Sequence, residues 1–90
     1  MKKAVITVVG HDTVGIIAKV CTYLADRSVN ILDINQTIVA GYFNMMMVAD
    51  ITGCDMQFSG IAKGLEELGR EIGVMITMQR EDIFDEMHRL

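Results

Sequence analysis

The middle of the chain, 30-NILDINQTIVAGYFNMMMVADI-51, contains two alternating runs joined by a glycine. In the first run, apolar Leu32, Ile34 and Ile38 alternate with polar residues, which is the period of a half-buried β-strand. The second run repeats this period, and Gly41-Tyr42 between them suits a tight reversal. The sequence therefore predicts a β-hairpin. Its strands are expected over 30–40 and 43–51.

Strands and helices are predicted on both sides of this hairpin. The run 3–9 is rich in β-branched residues and ends at Gly10, as expected of a strand. Apolar residues then recur at helical spacing, with Asp12 or Thr13 as the expected N-cap. A second apolar stripe follows the hairpin and ends at Gly73, a suitable C-cap. The remaining predicted elements are helices over 14–28, 55–72 and 82–90 and a strand over 74–79.

The order β-α-β-β-α-β predicts an α+β, ferredoxin-like fold. Right-handed crossovers would place two helices on one face of a four-stranded antiparallel sheet, with a short C-terminal helix after it. Residues 1–90 would form one domain with its core in 3–80. Leu32, Ile34, Met45, Met47, Val74 and Ile76 are expected to face the helices, and Ile31, Val39, Met46, Val48 and Met75 to face outward. Since an apolar open face needs cover, the tail helix or a second copy is expected to supply it.

Composition excludes several classes of protein. The 90 residues carry a formal net charge of −4 with scattered basic residues, so no nucleic-acid partner is expected. No apolar run is long enough to cross a membrane, and the N-terminal run is too short for a secretory signal. Two cysteines without a C-x-x-C spacing and the lack of a signal predict a cytoplasmic protein, with Cys21 a buried thiol.

The segment 8-VVGHDTVGIIAKV-20 contains the residues that most resemble a binding site. Ile16-Ile17 stand where a phosphate loop needs Lys and Ser/Thr, and Asp12 breaks the dinucleotide fingerprint. His11-Asp12 is a weak metal or acid–base pair, because the only other histidine is His88. No catalytic residue, metal or cofactor is therefore predicted. A capped turn and half of a small-molecule site both remain open.

Asn30, which opens the second predicted strand, has the same two interpretations. It is either a turn residue that bonds its own backbone or part of a ligand site.

The pattern strand–Gly10-His11-Asp12-x-x-Gly15-Ile16–helix, followed by Val29-Asn30-Ile31, resembles the ACT domain family over residues 3–80. Within it, the chain is similar to stand-alone, uncharacterised ACT proteins. It is also similar to the ACT modules of the glycine cleavage system repressor and formyltetrahydrofolate deformylase. ACT domains typically bind amino acids and regulate metabolic enzymes or transcription.

The resemblance implies a non-enzymatic regulatory homodimer that binds an amino acid or similar small metabolite between subunits. Serine-sensing members carry histidine at position 10 and a neutral amide at position 12, whereas this chain has Gly10 and Asp12, which argues against simple serine sensing. The alternative is a ligand-free module that docks onto an unknown protein partner through the open sheet face and the tail. The implied ligand residues are Gly10, His11, Asp12, Thr13, Gly15 and Ile16 of one subunit and Asn30 and Ile31 of the other.

Overall fold

The computed structural model describes residues 2–11 and 13–87, and the side chains of all of these except Met87. Its sheet has the strand order β2-β3-β1-β4, and every neighbouring pair is antiparallel. The predicted βαββαβ order, with a short helix after it, is confirmed. The elements are β1 (Lys3–His11), α1 (Ile16–Asp26), β2 (Asn30–Val39), β3 (Tyr42–Asp50), α2 (Phe58–Ile72), β4 (Val74–Arg80) and α3 (Glu81–Met87).

The core lies between the sheet and helices α1 and α2. Alternate residues of β1, β3 and β4 point into it, which is the two-residue period of a pleated strand. Full burial of an aliphatic or methionine side chain contributes about 1.5–3 kcal/mol, so this layer supplies most of the stability. Its least exposed large side chains are Ile6, Val8, Val20, Leu24, Met47, Ile61 and Leu65.

β1 is two residues longer than predicted. Gly10 and His11 pair with Phe43 and Tyr42, so they belong to the strand and not to the loop after it. Backbone pairing with β3 determines this boundary. The glycine, which a single sequence marks as a break, does not end the strand.

Helix α1 is shorter than predicted, since it begins at Ile16 and ends at Asp26. Its N-cap is Gly15, which has φ 89° and no capping side chain among the described residues. The prediction that Thr13 caps the helix is therefore wrong, and Asp12 lies outside the described residues. Cys21, predicted to be buried, is only half-buried, although desolvation still raises the pKa of its thiol.

The turns and the second helix also differ in detail from the prediction. The hairpin turn is centred on Ala40–Gly41, with φ of 53° and 81°, and Tyr42 already belongs to β3. Positive φ at both central residues is the signature of a type I′ turn, whose twist matches that of the strands. Helix α2 starts at residue 58 and not at 55, and Gly73 is confirmed as its left-handed C-cap.

The face of the sheet away from α1 and α2 is only partly covered. Helix α3 contacts β1 and β4, and Val5 of β1, which points to this face, is buried. Farther along, Val9, Met46 and Met75 are exposed, and Met75 has 69% of its surface accessible. The outward orientation predicted for Met46 and Met75 is confirmed. The tail helix thus covers one end of this face, and residues 88–90 of its predicted span lie outside the described residues.

The facing of β2 was partly mispredicted. Ile31 lies opposite Ala49 and so faces the helix layer, because a bulge between Ile31 and Asp33 shifts the alternation by one residue. Ile34 lies opposite buried Met47, on the helix side as predicted, yet it is 42% exposed. The edge strand therefore lies largely beyond the cover of the helices.

Candidate functional site

The corner between β1 and α1 contains most of the predicted site residues. At its start, a Cβ on Gly10 would lie 2.8 Å from Cγ1 of Val74, closer than real side chains approach. Glycine at this position is therefore explained by the close packing of β1 against β4. That requirement holds whether or not a ligand binds nearby.

Gly15 has a different reason for being glycine. Its φ of 89° is unfavourable for any residue with a Cβ, but the space around it is open, since the nearest atom is Cε of Lys19 at 3.9 Å. Its carbonyl already accepts the N–H of Lys19, which closes the first turn of α1. The first-turn N–H groups, uncapped by any described side chain, can donate to an anion, and the helix dipole favours a carboxylate here.

The other residues of the corner divide into exposed and buried ones. Thr13 and Val14 are exposed, and Val14 is fully so. Ile16 is 2% exposed, because its side chain enters the core as the first residue of α1. Only the backbone of Ile16 is thus available to a ligand.

His11 forms an aromatic pair that the sequence analysis missed. Its ring stacks on Tyr42 with the centroids 4.8 Å apart and the planes inclined by 29°. Both residues lie on the open face at the end of the sheet where β1 leads to α1. The sequence predicts this stacked pair only if the hairpin turn is placed one residue earlier than expected, at Ala40–Gly41, because Tyr42 is then the first residue of β3.

Asn30 and Ile31 lie at the other end of the sheet. Asn30 is opposite Asp50, which in turn is opposite Lys3, the first residue of β1. β1 spans eight steps of about 3.3 Å from there to His11, so roughly 25 Å separates Asn30 from the corner. A single copy of the chain therefore brings together Gly10, His11, Thr13, Gly15 and Ile16 but not Asn30 or Ile31.

Hydrogen bonds organise the end of the sheet near Asn30. The Thr52 hydroxyl accepts the Lys2 N–H at 2.8 Å, and the Thr52 N–H donates to Asp50 at 2.9 Å. The hydroxyl and N–H of Thr52, with a weaker contribution from the charge of Lys3, lower the pKa of Asp50. The exposed Asn30 thus lies opposite a residue whose carboxyl pKa is lowered.

The described residues also form clefts outside the predicted site, of which two are the larger. One of about 570 Å³ is formed by the outer sides of α1 and α2, where the Tyr23 hydroxyl occupies the space of a side chain at Gly64 and the Arg27 guanidinium lies 3.6 Å from the Tyr23 ring. Another of about 900 Å³ lies near Lys2 and Cys54. Neither is lined by a predicted ligand residue.

The described part of the chain also bears on metal binding and on membrane insertion. Within residues 2–11 and 13–87, no group of three His, Cys, Asp or Glu side chains could hold a metal ion. No helix in those ranges is long and apolar enough to cross a membrane.

Comparisons with known proteins agree with the fold and with the resemblance. The ACT domain family matches residues 2–79. A UPF0237 protein of Bifidobacterium longum is 60% identical over 90 residues, which is 100% of both chains. The structure of an ACT domain protein from Streptococcus pneumoniae has a TM-score of 0.82 at 38% identity, covering 93% of this chain and 94% of that one.

A formyltetrahydrofolate deformylase from Pseudomonas syringae shares the fold, with a TM-score of 0.82 at 20% identity, over 89% of this chain and 28% of that one. The predicted similarity to the ACT unit of a deformylase is thus confirmed at the level of the fold. Because the family match covers most of the chain and the UPF0237 relative covers all of it, this protein belongs to the ACT domain family.

Proposed function

We propose that this protein is a non-enzymatic regulatory ACT domain that binds an amino acid or a similar small metabolite between the two subunits of a homodimer. The observation that carries the proposal is the open corner at Gly15, where the first-turn N–H groups of α1 have no cap among the described side chains. Family membership supports the regulatory role, and a cytoplasmic location is part of the proposal.

The chemistry of the corner favours a zwitterion. A ligand carboxylate would accept hydrogen bonds from the first-turn N–H groups of α1, and its ammonium group would donate to the side-chain oxygen of Asn30. Asp12 immediately precedes Thr13 in the sequence, and an acid there favours a ligand whose ammonium lies next to its carboxylate. An amino acid meets both requirements.

The proposed contact of Asn30 with the ligand requires the homodimer. Since Asn30 lies at the far end of the sheet from Gly15, it can reach a ligand in the corner only if it comes from a second copy. Exposed apolar residues along β2, such as Ile34 and Ile38, provide surface for such a contact.

The comparison with the deformylase supports a role without catalysis. This chain matches only 28% of that enzyme, so most of the enzyme lies outside the matching unit. Regulation would then pass through the geometry of the dimer or through an unknown protein partner.

Isothermal titration of the purified protein with each of the twenty amino acids tests the proposal. We expect at least one to bind, and we expect Asn30→Ala to weaken that binding at least tenfold, because the ammonium loses its acceptor. Asn35→Ala is the matched control, since Asn35 is also exposed on β2 but lies in the middle of the strand, opposite Met46, away from both ends of the sheet. Absence of binding by every amino acid would contradict the sensor role.

The open face favours a second candidate function, which is a ligand-free module that docks onto a protein partner. Met75 is the most exposed apolar side chain of that face, and Val9 lies directly opposite it. If docking is the function, Met75→Glu should abolish partner binding while Asn30→Ala leaves it intact. The reverse result would favour the amino acid sensor.

A further inference from the structure

We propose that the open face, which is the side of the sheet away from α1 and α2, binds a basic amphipathic helix of a partner protein. The apolar side of that helix would lie on the sheet, with its basic residues beside α3. The inference rests on the proposed function, since it describes the protein partner through which that function would act. Its residues lie on the open face and not around Gly15, so the two proposals can fail separately.

The end of the open face that α3 leaves uncovered carries no charged side chain. The register places three rows of side chains there, each running across neighbouring strands. None of their members is Asp, Glu, Lys or Arg, although 22% of the chain is charged. An apolar partner can therefore cover this end without taking an ion out of water. The rows are Val39, Tyr42 and His11, then Thr37, Asn44, Val9 and Met75, and then Asn35, Met46, Thr7 and Thr77.

Apolar and aromatic side chains dominate the exposed surface of these rows. Five of them have between 44% and 69% of their surface accessible, and a contiguous patch of this kind marks an interaction site. Between them, the hydroxyls of Thr7 and Thr77 share a hydrogen bond, so covering this pair leaves neither hydroxyl unpaired. The five side chains, of which the two methionines adapt readily to a partner's shape, are Val9, Val39, Tyr42, Met46 and Met75.

Helix α3 forms an acidic border beside this patch. It contacts β1 and β4, and none of its residues is Lys or Arg. The basic residues at this end of the sheet lie next to acids, since Arg80 pairs with Asp82 at 3.1 Å and Lys3 lies opposite Asp50. The border is therefore negative and attracts a partner with basic residues. Its acidic residues are Glu81, Asp82, Asp85 and Glu86.

The dimensions of the patch favour a helix as the occupant. Its outer rows are four residues apart, roughly 13 Å along the strands, and four strands span roughly 14 Å across. A helix about 10–12 Å in diameter fits this area, with apolar residues at i, i+3, i+4 and i+7 as its anchors. Helix α3 shows that a short helix already packs on this side of the sheet.

Fluorescence anisotropy with model peptides tests the chemistry of the partner. The probe is labelled LKKLLKLLKKLLKL, a basic amphipathic helix, titrated with the full-length protein at physiological ionic strength. We expect it to bind at micromolar concentration. The acidic counterpart LEELLELLEELLEL should bind at least tenfold more weakly, because α3 repels it. An alternating Leu-Lys peptide of the same length, which has the period of a strand, should bind at least fivefold more weakly.

Variants of exposed residues locate the surface. Met75→Gln changes no charge and should weaken binding of the basic peptide at least fivefold, because it makes the patch polar. Asp85→Lys should weaken binding at least threefold, because it reverses a charge of the acidic border. Glu71→Lys is the matched control, since it makes the same charge change on the outer side of α2, and it should leave the affinity within twofold.

Three results would overturn the inference. The first is no binding of the basic peptide, or equal binding of the acidic one. The second is an equal effect of Asp85→Lys and Glu71→Lys with none from Met75→Gln, which would show attraction to net charge alone. The third is a dimer in sedimentation that Met75→Gln dissociates, which would assign the face to a second copy. In each case, binding of an amino acid would leave the sensor proposal standing.

Discussion

Strands β2 and β3 belong to one hairpin and have similar alternating sequences, yet their burial differs completely. In β3 every second residue is buried from Phe43 to Ala49, as an inner strand requires. In β2 only Ile31 is even half-buried, although Ile34 and Ile38 occupy the same face as the buried residues of β3. Alternation therefore identifies a strand, whereas burial depends on where the strand lies in the sheet.

The contrast is sharpest between two residues that face each other. Met47 is 0% exposed and Ile34, its direct neighbour across the pair, is 42% exposed. An apolar side chain that stays in water contributes little to folding. The apolar face of β2 therefore contributes to stability only when another molecule covers it. Within one hairpin, the buried residues of β3 stabilise the fold, and the exposed apolar residues of β2 are available for association.

The largest expected effect comes from truncating the buried member of that pair. Met47→Ala should lower the free energy of unfolding by about 2–5 kcal/mol, because it leaves a cavity in the core. Urea unfolding measures the loss, which should be the same at every protein concentration.

Ile34→Ala is the matched variant on the edge strand. At a concentration where the protein is monomeric it should cost under about 1 kcal/mol, since the side chain is half in water. The cost should rise with protein concentration if β2 forms the dimer interface. A loss equal to that of Met47→Ala in the monomer would show that the two strands do not differ as we infer.

A smaller effect is expected at the turn that sets the register between the two strands. Ala40 has φ 53°, a left-handed conformation that asparagine adopts more readily than alanine. Ala40→Asn should therefore raise the free energy of unfolding by up to about 1 kcal/mol.

Ala40→Val serves as the control for this prediction, because a β-branched residue at positive φ should destabilise the hairpin. Chemical unfolding of both variants measures the two effects. If asparagine destabilised the protein as much as valine, the left-handed turn would not be the cause.

The sequence was sufficient for the order of the elements, because each has a strong period and Gly73 marks a helix end. It was insufficient wherever the pairing of strands decides the boundary or the facing of a strand. Gly10 and His11 join β1 because Phe43 and Tyr42 lie opposite them, and the facing of Ile31 follows from a bulge. The alternation of residues in a single strand shows neither which strand it pairs with nor where a bulge lies.

The candidate site divides in the same way. The Gly15 corner could be located from its local signals, which are a strand end, a glycine and the start of a helix. The stacking of His11 on Tyr42 could not, since it depends on a turn position that was one residue off. That Asn30 acts from a second copy stays a prediction. Because β1 is roughly 25 Å long, Asn30 and Gly15 can share a ligand only if they come from two copies.

The smallest expected effect concerns the acidic end of β3, the position where the hairpin's inner strand meets Asn30 of the edge strand. The pKa of Asp50 is lowered, chiefly by the Thr52 hydroxyl, so its carboxylate is better stabilised in the folded than in the unfolded chain. Its contribution to stability is therefore present above the unfolded pKa, near 3.8, and is lost as pH falls through the lower folded pKa. Thr52→Val should raise the pKa of Asp50 toward 3.8 without removing the carboxylate, and NMR titration of that carboxyl group measures the change. An unchanged titration in Thr52→Val would assign the lowered pKa to the backbone N–H of Thr52 and to nearby positive charges such as Lys3, and the hydroxyl would then act at this end of the hairpin only as the acceptor of the Lys2 N–H.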